Sequence, residues 1–156
     1  MTNGLAAPRL DWVRQDIHIH TTGAELYRRL SDVRAHREWL AQHFRDYAVT
    51  EDHDVITFAL ALPLRTESAR LYRDPAEDEA IAFIATGDSD LAAITWAFHE
   101  EGARDVHVTV EARYRRASGP LGPLLEVLLH RPYRTQALRE SLWNLKQLVE
   151  HANGRS

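Results

Sequence analysis

Two histidines two residues apart, His18 and His20, are the first residues in this 156-residue chain whose spacing could do chemistry. On a strand that spacing sends both imidazoles to one side, where they could share a metal ion. Their alternates Val13, Gln15, Ile17 and Ile19 make the other side, so the alternation turns the isoleucines inward and the histidines to solvent. No metal is expected there. A second polar pair, Arg131 and Thr135, falls at helical spacing on a stripe otherwise made of leucine and valine. A guanidinium buried on such a stripe needs a carboxylate, a ligand oxygen or water. The alternative is that Pro132 turns Arg131 to the rim, where it snorkels.

Other chemistries are excluded by what is missing. With no cysteine there is no disulfide scaffold, thiolate zinc site or cysteine nucleophile. Ser68, Ser89, Ser118 and Ser141 sit in no nucleophile elbow, and no glycine-rich string leads into a helix to cradle phosphate. Lys146 is the single lysine, so any catalytic lysine has to be that one. A net charge of −4 speaks against a nucleic-acid binder built on a basic face. No run reaches the length of a membrane span, and Met1–Leu10 lack the pattern of a secretory leader, so the cytoplasm is the expected compartment.

The elements that must position these residues follow from the periodicity. Residues 1–12 read as a flexible arm, and 13–152 as a single domain without an internal linker or repeat. A strand from Val13 ends at Thr21-Thr22-Gly23, where Thr22 caps a short helix over 24–30 with Glu25 three positions on. Asp32 starts a second helix to about His43, carrying Trp39 and Leu40 on its buried side. Six further strands are predicted at 44–50, 55–62, 67–72, 79–86, 92–99 and 105–115. The turns between them include Glu51–Asp54, Asp74-Pro75 and Gly87–Asp90, with Glu77-Asp78-Glu79 a solvated run. Such short connections require antiparallel neighbours. After Ser118-Gly119-Pro120, a helix from about 121 to 151 places Leu121, Leu124, Leu128, Leu138, Leu142, Leu145 and Val149 on one stripe, kinked at Pro132 and ended by Asn153-Gly154.

This order resembles the START-like helix-grip (SRPBCC) superfamily, and its polyketide cyclase/dehydrase-like branch in particular. The resemblance is carried by Ile17-His18-Ile19-His20-Thr21 with Ala24-Glu25-Leu26-Tyr27 and Asp32, by Trp39, by Trp96-Ala97-Phe98 before Gly102 with Val106–Val110, and by Leu124-Leu125 through Leu145-Lys146. It covers roughly 13–151; Ala103-Arg104-Asp105 departs from the usual hairpin turn. It implies an α+β fold of START/Bet v 1-like type: a curved, antiparallel seven-stranded sheet wrapped around the long C-terminal helix, with two short helices after the first strand. It also implies an apolar cavity between sheet and helix, and a last strand beside the first, so that His107 and Glu111 would join His18 and His20 outside.

Phe58, Tyr72, Phe83, Trp96 and Tyr114 are then candidates for the cavity wall, with Leu128, Leu138 and Leu142 from the helix and Arg131 and Thr135 near the mouth. The phenol hydroxyls of Tyr72 and Tyr114 could orient a ligand. The expected function is binding of a hydrophobic or aromatic small molecule, such as a lipid, quinone or polyketide-like compound, by a monomer or homodimer without a cofactor. One alternative is a cyclase, aromatase or dehydratase, for which Arg131, Glu67, Arg70, Tyr72 and His99 are the residues to inspect. The other is a chaperone-associated interaction module using an outer face.

Overall fold

The structure, a computed structural model, describes residues 10–50, 55–75, 80–115 and 119–153. Residues 1–9 of the expected arm, the turns at Glu51–Asp54 and Glu77–Glu79, Ser118 and Gly154 lie outside them. Seven strands, β1 (Leu10–Ile19), β2 (Phe44–Val49), β3 (Val55–Leu62), β4 (Arg65–Asp74), β5 (Ala80–Ala85), β6 (Leu91–Gly102) and β7 (Asp105–Arg115), make one sheet in the order β1-β7-β6-β5-β4-β3-β2. Every neighbouring pair is antiparallel. β1 starts at Leu10 rather than Val13, so residues 10–12 belong to the sheet and not to the arm.

Alternation decides which residues face the grip. Ile56, Phe58, Leu60 and Leu62 of β3 are buried, as are Val106, Val108, Val110, Ala112 and Tyr114 of β7. α1 (Gly23–Ser31) is capped as the sequence implies, with Thr22 Oγ1 accepting the Glu25 N–H at 3.2 Å. The Glu100 carboxylate of β6 accepts the Gly23 N–H at 3.0 Å and occupies the space a Cβ would take, so a larger residue at 23 would displace the Glu100 side chain and cost this bond. The predicted second helix over 32–43 is shorter, a 3-10 helix at Val33–Glu38. Its three-residue period brings His36 and Trp39 to one side, with their rings 4.7 Å apart in the core.

The C-terminal helix is continuous but not uniform: α over Gly122–Leu125, π over Glu126–His130, and α again over Arg131–Asn153. Pro132 explains the wide turn. It has no N–H to offer, its ring crowds the Leu128 carbonyl, and the Arg131 N–H reaches back five residues to the Glu126 carbonyl. The π turn absorbs one extra residue and so shifts the helical phase. The buried line is Gly122, Glu126, His130, Arg134, Leu138, Leu142, Leu145 and Val149. This corrects the predicted stripe upstream of the proline: Leu121, Leu124 and Leu128 are more than half exposed, and Arg131 is exposed.

Candidate functional site

Glu67 stands on β4 in phase with Ala69 and Leu71, so its carboxylate enters the grip with them. The helix line brings Arg134 opposite, with Glu126 and His130 on the preceding turns. All four side chains are at most 3% exposed. Arg134 Nη1 is ion-paired with Glu67 Oε1, its Nε lies 3.4 Å from Glu126 Oε1, and its guanidinium covers the Tyr114 ring 3.6 Å from the centroid. His130 closes the inner end, Nε2 lying 3.1 Å from the Pro63 carbonyl and Nδ1 3.7 Å from Glu126 Oε2. At the outer end, Arg65 Nη2 is 3.6 Å from Glu67 Oε2 and 3.8 Å from Asp90 Oδ1. A chain of charges thus runs from the rim into the grip.

The chemistry of this chain follows from its donors and acceptors. A carbonyl only accepts, so His130 Nε2 carries a hydrogen toward Pro63 and Nδ1 is what Glu126 meets. Burial, and then the Glu126 carboxylate, push the Tyr114 hydroxyl well above the usual phenol range, with Arg131 and Arg134 pulling the other way. The phenol is held as a neutral donor. Base, acid and cation therefore meet in one water-poor place.

Beside Arg134 the interior is almost full. Val13, Phe44, Leu60, Leu91, Ile94, Ala112, Ala137 and Leu138 enclose a cavity of about 10 Å³, space for about one water molecule. Half-buried Phe44 packs against both the main core and the small cluster of Leu60, Leu62 and Ala137. On the far side of that cluster lies a surface groove of about 480 Å³, lined among others by His43, Leu62, Pro63, Tyr133 and Glu140. At its end the Pro63-Leu64 turn leaves Leu64 90% exposed with φ 62, a left-handed backbone that glycine adopts more cheaply.

Of the expected wall, Phe58, Phe83, Trp96, Tyr114, Leu138 and Leu142 are buried in the grip. Tyr72 and Leu128 are exposed on outer faces, Arg131 is at the rim, and Thr135 is half-buried. Arg70 and His99 are exposed too, which leaves Glu67 as the inward group among the residues to inspect. Glu126, His130 and Arg134 were missed. The signal that could have found them is their four-residue spacing in line with Leu138 and Leu142. Lys146 is spoken for, donating to the His18 carbonyl at 2.9 Å and to Glu150 at 2.6 Å. Outside the sheet, His18 meets His107 as expected, but Glu111 pairs with Arg14 and Arg113 instead.

No protein-family model matches the sequence, and no curated protein matches it. Solved structures do match in shape. The KanY protein superposes with a TM-score of 0.75 at 19% identity over 91% of this chain and 99% of its own. A START superfamily protein from Mycobacterium smegmatis gives 0.68 at 11% identity, over 90% and 98%. The Zhui aromatase/cyclase from Streptomyces gives 0.60 at 13% identity, over 90% and 96%. What the likeness establishes is the fold.

Proposed function

We propose that this chain, which has the START-like helix-grip fold, binds a hydrophobic or aromatic small molecule between its sheet and its C-terminal helix. One observation carries the reading: a buried guanidinium and phenol, Arg134 and Tyr114, beside an apolar interior. Ionic networks of this kind add little to stability, because desolvation offsets their attraction, so their placement in the grip is better explained by a ligand. The ligand's apolar body takes the place of Phe44 and its neighbours, and a carbonyl or acidic end meets Arg134. A drug-sized guest needs about 300 Å³ or more, so the grip has to open, and Phe44 is the side chain that stands in the way.

Titration with a fatty acid, a polyphenol and an uncharged apolar dye tests this, read through the fluorescence of Trp39 and Trp96. Saturable binding is expected, with faster association in Phe44→Ala. Arg134→Met is expected to weaken the fatty acid about tenfold or more, a loss of about 1.4 kcal/mol, and to spare the dye. Where that variant fails to fold, Tyr114→Phe keeps the ring and removes the donor. No saturable binding of any probe overturns the reading.

A second reading, a cyclase or dehydratase-type enzyme, is favoured by the Glu126–His130 pair. It would take a proton from the carbon between two carbonyls while Tyr114 and Arg134 stabilise the enolate oxygen. Deuterium exchange into a bound 1,3-diketone measures that step. Glu126→Gln should abolish the exchange and leave binding, and exchange at the rate of buffer alone removes the enzyme reading.

A further inference from the structure

On the outer face of the sheet, away from the grip, the pairing of β1 with β7 sets His18 directly opposite His107. Their imidazoles stack with centroids 4.7 Å apart and planes 5° from parallel. The end of β6 supplies Glu101 and the start of β7 supplies Asp105. His18 Nδ1 lies 3.3 Å from Glu101 Oε2 and 3.5 Å from Asp105 Oδ1, and His107 Nδ1 lies 3.7 Å from Glu101 Oε1. The ligating atoms of His18, Glu101 and His107 are all within 4.8 Å of one another. We infer that these residues form a site for a divalent transition metal ion, zinc above all, that fastens β1 to the β6–β7 hairpin.

Three observations carry this. A tetrahedral ion with zinc–nitrogen and zinc–oxygen bonds of about 2.0–2.2 Å separates its ligand atoms by about 3.3–3.6 Å, close to the spacings found. Both imidazoles turn Nδ1 to the carboxylates, and His107 Nε2 is held by Asp16 Oδ2 at 2.6 Å. A carboxylate on the far nitrogen fixes the ring and its tautomer, as the outer partners of metal-bound histidines do. Asp105 Oδ1 is enclosed, makes no hydrogen bond and points at His18 Nδ1. Parallel rings aim their lone pairs side by side, so loading requires the imidazoles to splay until both converge on the ion. Two imidazoles with carboxylates are a donor set for zinc, where magnesium or calcium would take oxygen alone.

The test uses the full chain stripped of metal with a chelator. Calorimetric titration with zinc should give one saturable site, and cobalt(II) in its place should give the visible absorption of a tetrahedral ion. Zinc should also raise the thermal midpoint by stabilising the folded state alone. His18→Ala and His107→Ala are each expected to lower zinc affinity about a hundredfold or more, and Asp16→Asn about 10–100-fold. His20→Ala should bind as the parent does. The His18, Glu101 and His107 side chains lie on the outer face of the sheet, 31–53% exposed, so the variants should fold, and Glu101→Gln gives an independent ligand change if one does not. Absence of saturable zinc binding, or zinc affinity in both histidine variants equal to the parent's, overturns the site and leaves the cluster an ion-pair network. Neither result bears on the ligand within the grip.

Discussion

At the scale of single residues, His36 shows how strongly surroundings decide chemistry. Its ring lies among Trp39, Tyr47, Phe83 and Trp96, and its Nε2 donates to the Leu30 carbonyl at 2.7 Å. Burial, opposed by that bond, lowers its pKa to about 4. The unfolded chain takes up a proton near pH 6.5 and the folded chain only near 4, so folding is penalised as pH falls between those values. Stability should be flat above pH 7 and fall by about 3 kcal/mol on the way to pH 4 from this residue alone. Urea titrations at pH 7 and 4.5 should show a smaller difference in His36→Phe; an unchanged difference would place the acid sensitivity elsewhere. Nothing in the sequence marks His36 as different from solvent-facing His18, because burial there is set by the 3-10 turn.

At the scale of elements, the strands were legible and the last helix only in part. Period-two alternation survives in β3, β4 and β7, each with one face in the grip, and β3, expected at 55–62, runs over those same residues; in β5 four successive residues are buried and in β2 a bulge breaks the count. The helical stripe failed over 121–131 because 100° per residue holds for α turns, and the π turn at Glu126–His130 breaks the count. The same stripe placed Arg131 near the mouth and passed over Arg134, the arginine that the structure buries. It follows that the π turn is one residue in excess. Deleting exposed Leu128 together with Pro132→Ala, which removes the ring that holds the turn open, should convert it to α while keeping Glu126 and His130 on the buried side, since spacings of three and four share a face. The deletion variant should keep its circular dichroism spectrum, melt no lower than the parent, and exchange its amides over 126–134 more slowly. Unfolding on deletion would mean that the wide turn is a requirement of the fold. Of the outer cluster, the resemblance already placed His107 beside His18, and the acidic partners are what it missed: Glu101 and Asp105 come from the ends of β6 and β7, where Glu111 was expected instead.

At the scale of the molecule, the sheet order has a consequence for how the chain is made. β1 is synthesised first, yet its partner is β7, with Ile19 against Val106 and Leu10 against Arg115, and the C-terminal helix then lies across it. The strands from β2 to β6 can pair with neighbours as each emerges. β1 cannot, and must wait as an open, alternating segment until β7 has left the ribosome. Nascent chains stalled before β7 should leave β1 cleavable by protease, and chains stalled after the last helix should protect it. Early protection would mean that β1 first finds another partner. The order of translation thus makes β1, the first strand made, the last to be sewn into the sheet, and a chain cut short before β7 keeps it open with no edge to close against.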